Sequence, residues 1–210
     1  MKKWCNNLAK EDFGRQIMRL IVGMSGASGV IYGVRLLEVL KAESNVETHL
    51  VMSDSARMNI NLETDWSAKD VLALADHVYS NRDIAASIAS GSFGTDGMIV
   101  APCAIKTLSA ITNSYADSLI VRAADVVLKE CRRLVLVPRE TPLHTGHCEL
   151  LYRASQLGAI IAPPMPAHYI KPQSVDDLIN HHVGRILDLF SIDCGFVKRW
   201  NGPQNKNADE

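Results

Sequence analysis

Met18-Arg19-Leu20-Ile21-Val22-Gly23-Met24-Ser25-Gly26-Ala27-Ser28-Gly29-Val30 is the stretch on which the fold turns. Its first half is continuously apolar and reads as a buried strand, and from Val30 the apolar residues Val34 and Leu37 recur at helical spacing. Between the two lies a glycine turn spaced G-x-x-G-x-x-G, which departs from the dinucleotide fingerprint G-x-G-x-x-G. The turn is either an ordinary tight strand-to-helix connection with a serine cap, or a phosphate cradle. The cradle is the better reading, because glycines let the backbone approach an anion and the amides of a helix start face it. A helix end contributes only about 0.3–1 kcal/mol per exposed charge, so further donors are needed, and Ser25 and Ser28 supply hydroxyls.

Working outward, Val- and Ile-rich runs at 19–23, 48–52, 98–101, 134–137 and 159–162 alternate with helical patterns. Such alternation predicts parallel strand–helix–strand units, and the absence of polar alternation within the runs predicts strands covered on both faces. The expected fold is a single-domain, doubly wound, Rossmann-like (flavodoxin-like) parallel sheet over residues 18–200. Residues 1–17 read as a flexible extension, with Met18 a candidate alternative start, and 201–210 as a flexible tail. The last helix is expected near residue 175, where Ser174-x-x-Asp177 forms a capping box. Val175, Leu178, Ile179, Val183, Ile186, Leu187 and Phe190 follow at helical spacing. On that helix His182 is expected to pack and His181 to face solvent, with Arg185 beside the apolar face. Pro163-Pro164-Met165-Pro166 reads as an extended connector.

Composition narrows the function. In 210 residues, 22 Lys and Arg balance 23 Asp and Glu, so no general field attracts nucleic acid or anionic lipid. Five widely spaced cysteines form no C-x-x-C pair, which fits reduced thiols in the cytoplasm. No apolar run approaches the roughly 20 residues that span a bilayer, so no membrane segment is expected. The second strand ends Val51-Met52-Ser53-Asp54, with a serine ahead of the acid that a dinucleotide's ribose would want there, which argues against NAD.

A second strand-to-helix junction, Pro102-Cys103-Ala104-Ile105-Lys106-Thr107, again opens a helix whose first amides lack internal partners. Its polar residues suit either ligand contact or a solvated first turn. Ser90-Gly91-Ser92 is a flexible polar loop suited to closing over a site. Arg122, Asp125, Lys129 and Glu130 form the densest polar group, and Arg139 and Glu140 follow a strand, where ligands of open parallel sheets bind. Glu130, Arg132 and Arg133 are read as surface charge. His144-x-x-His147-Cys148 lacks further ligands at metal-site spacing.

Taken together, Ser25-Gly26-Ala27-Ser28-Gly29, Ala89-Ser90-Gly91-Ser92, the 102–107 junction, Arg122-Ala123-Ala124-Asp125-Val126, Leu128-Lys129-Glu130, Pro138-Arg139-Glu140, the stretch from Pro172 to Asp177 and Arg199-Trp200 resemble the UbiX-type flavin prenyltransferases, from about residue 18 to 200. The resemblance implies transfer of a dimethylallyl group from dimethylallyl phosphate to N5 and C6 of reduced FMN. It further implies a metal-independent homo-oligomer, often a dodecamer, whose prenylated FMN serves a UbiD-type decarboxylase. Carried over by position, Gly26, Ala27, Ser28, Ser53, Ala104, Ile105, Lys106, Thr107, Arg122 and Arg139 are expected to contact FMN. Tyr169 and Arg185 match contacts to dimethylallyl phosphate, and Ser90, Gly91, Lys129, Arg139 and Glu140 complete its phosphate pocket. Ser28, Glu63, Lys129 and Glu140 are the implied catalytic residues. Serine is common in the family where Ala104 stands, so only a backbone contact is expected there. The rival readings are an FMN-dependent decarboxylase, such as those acting on peptidyl-cysteine, and a non-catalytic flavin-carrying subunit of a phenolic acid decarboxylase.

Overall fold

Strand β1 (Met18–Met24) occupies the middle of a six-stranded sheet in which every ladder is parallel. The computed structural model describes residues 17–200 and 202. The expected N-terminal extension therefore lies outside the described residues except for exposed Ile17, and the expected tail lies outside them except for Gly202.

From β1 the chain winds outward through α1 (Ile31–Ala42), β2 (Val46–Met52), α2 (Asp54–Glu63), α3 (Ala68–Leu72) and β3 (His77–Ser80). It then returns to the other side of β1 for β4 (Gly97–Cys103), α4 (Ile105–Thr112), α5 (Leu119–Lys129), β5 (Arg133–Pro138), α6 (Thr145–Gln156) and β6 (Ile160–Ile161). The resulting order, β3-β2-β1-β4-β5-β6, is the doubly wound arrangement expected from the alternation of apolar runs. Five of the strands fall on those runs. β3 does not, because three of its four residues are exposed at the sheet edge and carry no apolar signature.

Leu20, Val22, Ile99, Val100 and the run Leu134–Val137 are fully buried, each worth about 1.5–3 kcal/mol of apolar transfer. The strand order reverses between β1 and β4, and at such a switch point the connections leave in opposite directions and open a crevice at the carboxyl ends.

The described residues form two compact units, one running up to residue 163 with the whole sheet and one from residue 164 with α7 (Val175–Asp188). In the second unit the expected capping box is present. The Ser174 hydroxyl accepts from the Asp177 amide at 3.2 Å, and the Asp177 carboxylate accepts from Ser174 at 3.0 Å and Gln173 at 2.7 Å. One of the two histidines departs from expectation: His181 is buried rather than facing solvent, while His182 is half-buried. A hydrogen bond of 3.0 Å between His181 Nε2 and the Tyr169 hydroxyl satisfies the buried ring, a partner that helical spacing does not reveal.

Candidate functional site

At the switch point the β1 turn and the β4 turn are stitched by one buried side chain. The Ser25 amide donates to the Pro102 carbonyl at 3.1 Å, its hydroxyl donates to the same carbonyl at 3.0 Å, and that hydroxyl accepts from the Ala104 amide at 2.7 Å. Gly26 faces the first turn of α2 so closely that a Cβ would overlap the Ser55 side chain. Gly29 has φ +93°, a left-handed conformation that would cost another residue roughly 1–2 kcal/mol.

The amides at each helix start show where an anion is wanted. At α1, Gly29 and Val30 donate to the Glu63 carboxylate at 2.7 and 3.3 Å. Ser53 caps α2, Ser67 caps α3, His144 caps α6 and Ser174 caps α7. Asn81 closes α5, its carbonyl taking the Leu119 amide and its side chain the Ile120 amide. Among the described α-helices, α4 is left: its N-cap is Ala104, and the amides of Ile105, Lys106 and Thr107 meet no side-chain acceptor. An uncapped helix start of this kind attracts an anion through both its free N–H groups and its dipole. The Gly29 and Val30 amides are thus taken by a carboxylate of the same chain, while the amides that open α4 at the second junction meet no side-chain acceptor.

Ala104, Lys106 and Thr107 of this helix start line a cavity of about 310 Å³ at the switch point. Of the expected residues it collects Gly26, Ser53, Ala104, Lys106 and Thr107, together with Ser25. It also collects Ser55, Asn81, Arg82, Asp117 and Ser118, which the sequence reading did not single out. Asn81 follows the unrecognised strand β3, so its entry into the site had no visible frame. Arg82 is held near the mouth by Asp54 at 3.0 Å. Cys103, adjoining this junction, is fully buried and its thiol is pushed up to about 12 by burial, so it is not a nucleophile at neutral pH.

The other expected residues lie as follows. Ala27 is buried, its carbonyl accepting from Asn59 at 3.2 Å, while Ser28 and Ile105 are half-buried beside the turn and at the start of α4. Arg139 and Glu140 follow β5 directly, as expected, and both are exposed. The Glu140 carboxylate accepts from the Thr141 amide at 3.0 Å. Ser90 pairs with Ser92 at 2.9 Å, and a Cβ on Gly91 would lie 2.7 Å from the Lys129 ammonium. Lys129 pairs with Glu130 and holds that carboxyl below its usual range. Arg122 donates to the Ala89 carbonyl at 3.1 Å and pairs with Asp125 at 3.0 Å, bracing the 3-10 turn Ser87–Ala89.

Arg132 corrects the reading of surface charge. It donates to the Gly91 carbonyl at 2.7 Å, the Phe93 carbonyl at 2.9 Å and the Thr95 hydroxyl at 3.3 Å, and so clamps the 91–95 loop. Nothing in the run Glu130-Cys131-Arg132-Arg133 marks one arginine as an internal clamp, since its acceptors, two backbone carbonyls and a hydroxyl, lie about 40 residues away. In the second unit Tyr169 bonds to His181, and Arg185 pairs with Asp188 at 2.7 Å. A hydrogen bond from Arg199 is the largest influence holding the Asp188 carboxyl below the usual range.

A Flavoprotein family model matches residues 10–187. The flavin prenyltransferase UbiX of Escherichia coli K12 is 60% identical over 186 residues, covering 88% of this chain and 98% of that protein. The chain belongs to the UbiX flavin prenyltransferase family. Among solved structures, AnUbiX (PadA1) in complex with FMN and dimethylallyl pyrophosphate has 51% identity, covers 90% of this chain and 100% of that one, and superposes with a TM-score of 0.88. A dodecameric FMN-dependent UbiX-like decarboxylase from Escherichia coli O157:H7 has 56% identity, covers 88% of this chain and 100% of that one, and has a TM-score of 0.87. Membership in the UbiX family bears out both the resemblance drawn from the separate motifs and the doubly wound fold. No helix among the described residues is long and apolar enough to cross a membrane.

Proposed function

We infer that this chain is a flavin prenyltransferase that joins the dimethylallyl group of dimethylallyl phosphate to N5 and C6 of reduced FMN. The observation that carries the reading is the uncapped start of α4 beside a switch-point cavity, in a chain 60% identical to a flavin prenyltransferase over 98% of that protein's length. The donor set fits a flavin phosphate: three consecutive amides and the hydroxyl of Thr107, with the Lys106 ammonium at the rim. Bound FMN supplies the nucleophilic ring positions that accept the prenyl group.

The chain's own residues have two tasks. Cleaving an allylic C–O bond moves negative charge onto the departing phosphate, and fixed cations stabilise that charge without reorganising. Lys129 and Arg139 fill this role, with Ser90 and Gly91 positioning the phosphate and no metal required at the transfer site; the family resemblance separately assigns Tyr169 and Arg185 to the prenyl phosphate. Glu140 moves a proton between phosphate and flavin, and Ser28 and Glu63 lie beside the reacting ring. Glu63 is already ordered by the Gly29 and Val30 amides, so its carboxylate is fixed in place before substrate arrives. Holding the two reacting partners together replaces several kcal/mol of activation entropy, up to roughly 7–11 in ideal cases, so the shape of the cavity matters as much as its charge.

In this reading the protein acts in the cytoplasm as a homo-oligomer, a dodecamer by analogy with the E. coli O157:H7 structure, and its product serves a UbiD-type decarboxylase. Anaerobic incubation with FMN, a reductant and dimethylallyl phosphate, followed by mass spectrometry of the released flavin, tests it. A gain of one C5 unit is expected. Flavin returned unchanged would identify a carrier and overturn the transferase reading.

A further inference from the structure

Away from the switch-point cavity, near the amino ends of β2 and β3, three metal-binding side chains converge on one face of the sheet. Glu47 and His49 are two residues apart on β2 and so point the same way, and His49 lies directly opposite His77 in the β2–β3 ladder. His77 Nε2 stands 2.9 Å and His49 Nε2 3.3 Å from the same carboxylate oxygen, Glu47 Oε1. One oxygen or nitrogen from each residue lies within 4.8 Å of the others.

His49 is only 1% exposed, yet its Nε2 makes no hydrogen bond, the Glu47 oxygen lying near it without the required geometry. Buried polar nitrogens are rarely left so. The outer partners of a ligand set are in place. His49 Nδ1 bonds to the Tyr79 hydroxyl at 2.9 Å, which fixes the ring and aims Nε2 inward, and Glu47 Oε2 accepts from Arg19 Nε at 3.1 Å, which leaves Oε1 turned to the histidines. Burial lowers the His49 pKa; burial opposes ionisation of Glu47, but a hydrogen bond from Arg19 leads the influences that hold its carboxyl below the usual range.

We propose that Glu47, His49 and His77 bind a divalent transition-metal ion, Zn²⁺ foremost, through Oε1 and the two Nε2 atoms. Two imidazoles and one carboxylate select zinc or a neighbouring transition ion over magnesium or calcium, which want oxygen ligands. Tetrahedral zinc with bonds near 2.0–2.1 Å sets its ligand atoms about 3.3 Å apart. The two rings now stack at 4.7 Å between centroids and 15° between planes, so binding turns the His77 ring out of the stack. That rotation is open to it, because the side chain is half exposed on a four-residue edge strand. Solvent on the His77 side supplies the fourth position.

The ion would act as a brace. β3 has a single partner strand, and the ion would add a bond between β3 and β2. The tie extends further, since the Tyr79 hydroxyl that holds His49 also bonds to Ser87 at 3.0 Å, in the 3-10 turn that leads into Ser90 and Gly91.

The test uses chelator-stripped full-length protein, Zn²⁺ titrated by calorimetry and Co²⁺ by visible absorption. One equivalent is expected to bind with a rise in melting temperature. His77→Ala and Glu47→Gln should each weaken binding by more than about tenfold, with circular dichroism and FMN binding retained. The double variant His144→Ala/His147→Ala should bind as the parent does. Absence of binding, binding that survives His77→Ala, or binding lost only in the His144/His147 variant overturns the assignment. These readouts do not depend on prenyl transfer, so the site and the proposed activity stand or fall separately.

Discussion

Replacing Ser25 by alanine removes one buried hydroxyl and tests how the proposed FMN site is held. The Pro102 carbonyl keeps the Ser25 amide as donor at 3.1 Å, but the Ala104 amide loses its acceptor at 2.7 Å. Leaving such a donor unpaired costs about 1–3 kcal/mol. For a chain of 210 residues each kcal/mol moves the melting temperature by roughly 2–4 °C, so a fall of roughly 2–12 °C is expected. The second effect is local. Ala104 is the N-cap of α4, and its position sets the Ile105–Thr107 amides. A hydrogen bond to a charged group contributes about 1.5–3 kcal/mol, so misplacing one of the three should weaken FMN binding by roughly 10- to 150-fold. Differential scanning calorimetry gives the first quantity and flavin fluorescence titration the second. Riboflavin, which lacks the phosphate, is expected to bind the variant and the parent equally. Ser25→Thr, which keeps the hydroxyl, should preserve FMN affinity. Parental FMN affinity in Ser25→Ala, or an equal loss for riboflavin, would refute the reasoning that Ser25 places a phosphate-binding helix start.

Gly26→Ala drives a Cβ into Ser55 and should weaken FMN binding; Ser55→Gly in the same chain should restore part of it, a coupling read by a double-mutant cycle. Glu140→Gln should bind FMN as the parent does and lose prenyl transfer, measured by mass spectrometry of the flavin product. Arg132→Ala removes three hydrogen bonds from the 91–95 loop, and hydrogen exchange there should rise while FMN affinity holds. His181 sits below the ordinary histidine value because of burial, with Arg185 adding to it, so the unfolded chain takes up a proton more readily than the folded one. Stability from this group is complete above about pH 7 and declines as pH falls through roughly 6.5, and urea unfolding of His181→Gln should show a shallower decline over that window.

Much of the fold was legible because both faces of a parallel sheet are covered, so each central strand prints a continuous apolar run. β3 was not legible for the same reason inverted: a short edge strand such as His77-Val78-Tyr79-Ser80 is mostly exposed and prints nothing. Asn81 and Arg82 follow β3 into the cavity, and both were missed with it. His181 and Arg132 escaped for another reason. Each has its role set by a partner distant in sequence or off the helical period, Tyr169 for one and the carbonyls of Gly91 and Phe93 for the other.

The proposed anion site is marked by two local signals of different kinds. Glycine spacing at 23, 26 and 29 is conspicuous, and on it rests the reading of a phosphate cradle before α1. Glu63, which takes those amides, lies 34 residues beyond Gly29 and cannot be paired with it from sequence. Yet the second junction carried a signal of its own. Ser53, Ser67 and Ser174 stand at the starts of α2, α3 and α7 and cap them, whereas Ala104, a poor cap, stands at the start of α4. A helix that begins on alanine at the carboxyl end of a central strand, beside a switch point, leaves its amides for something outside the chain. The missing cap is therefore a second mark of the proposed phosphate site, set beside the glycine turn, and Gly26 lets that turn lie against α2, where any side chain would meet Ser55.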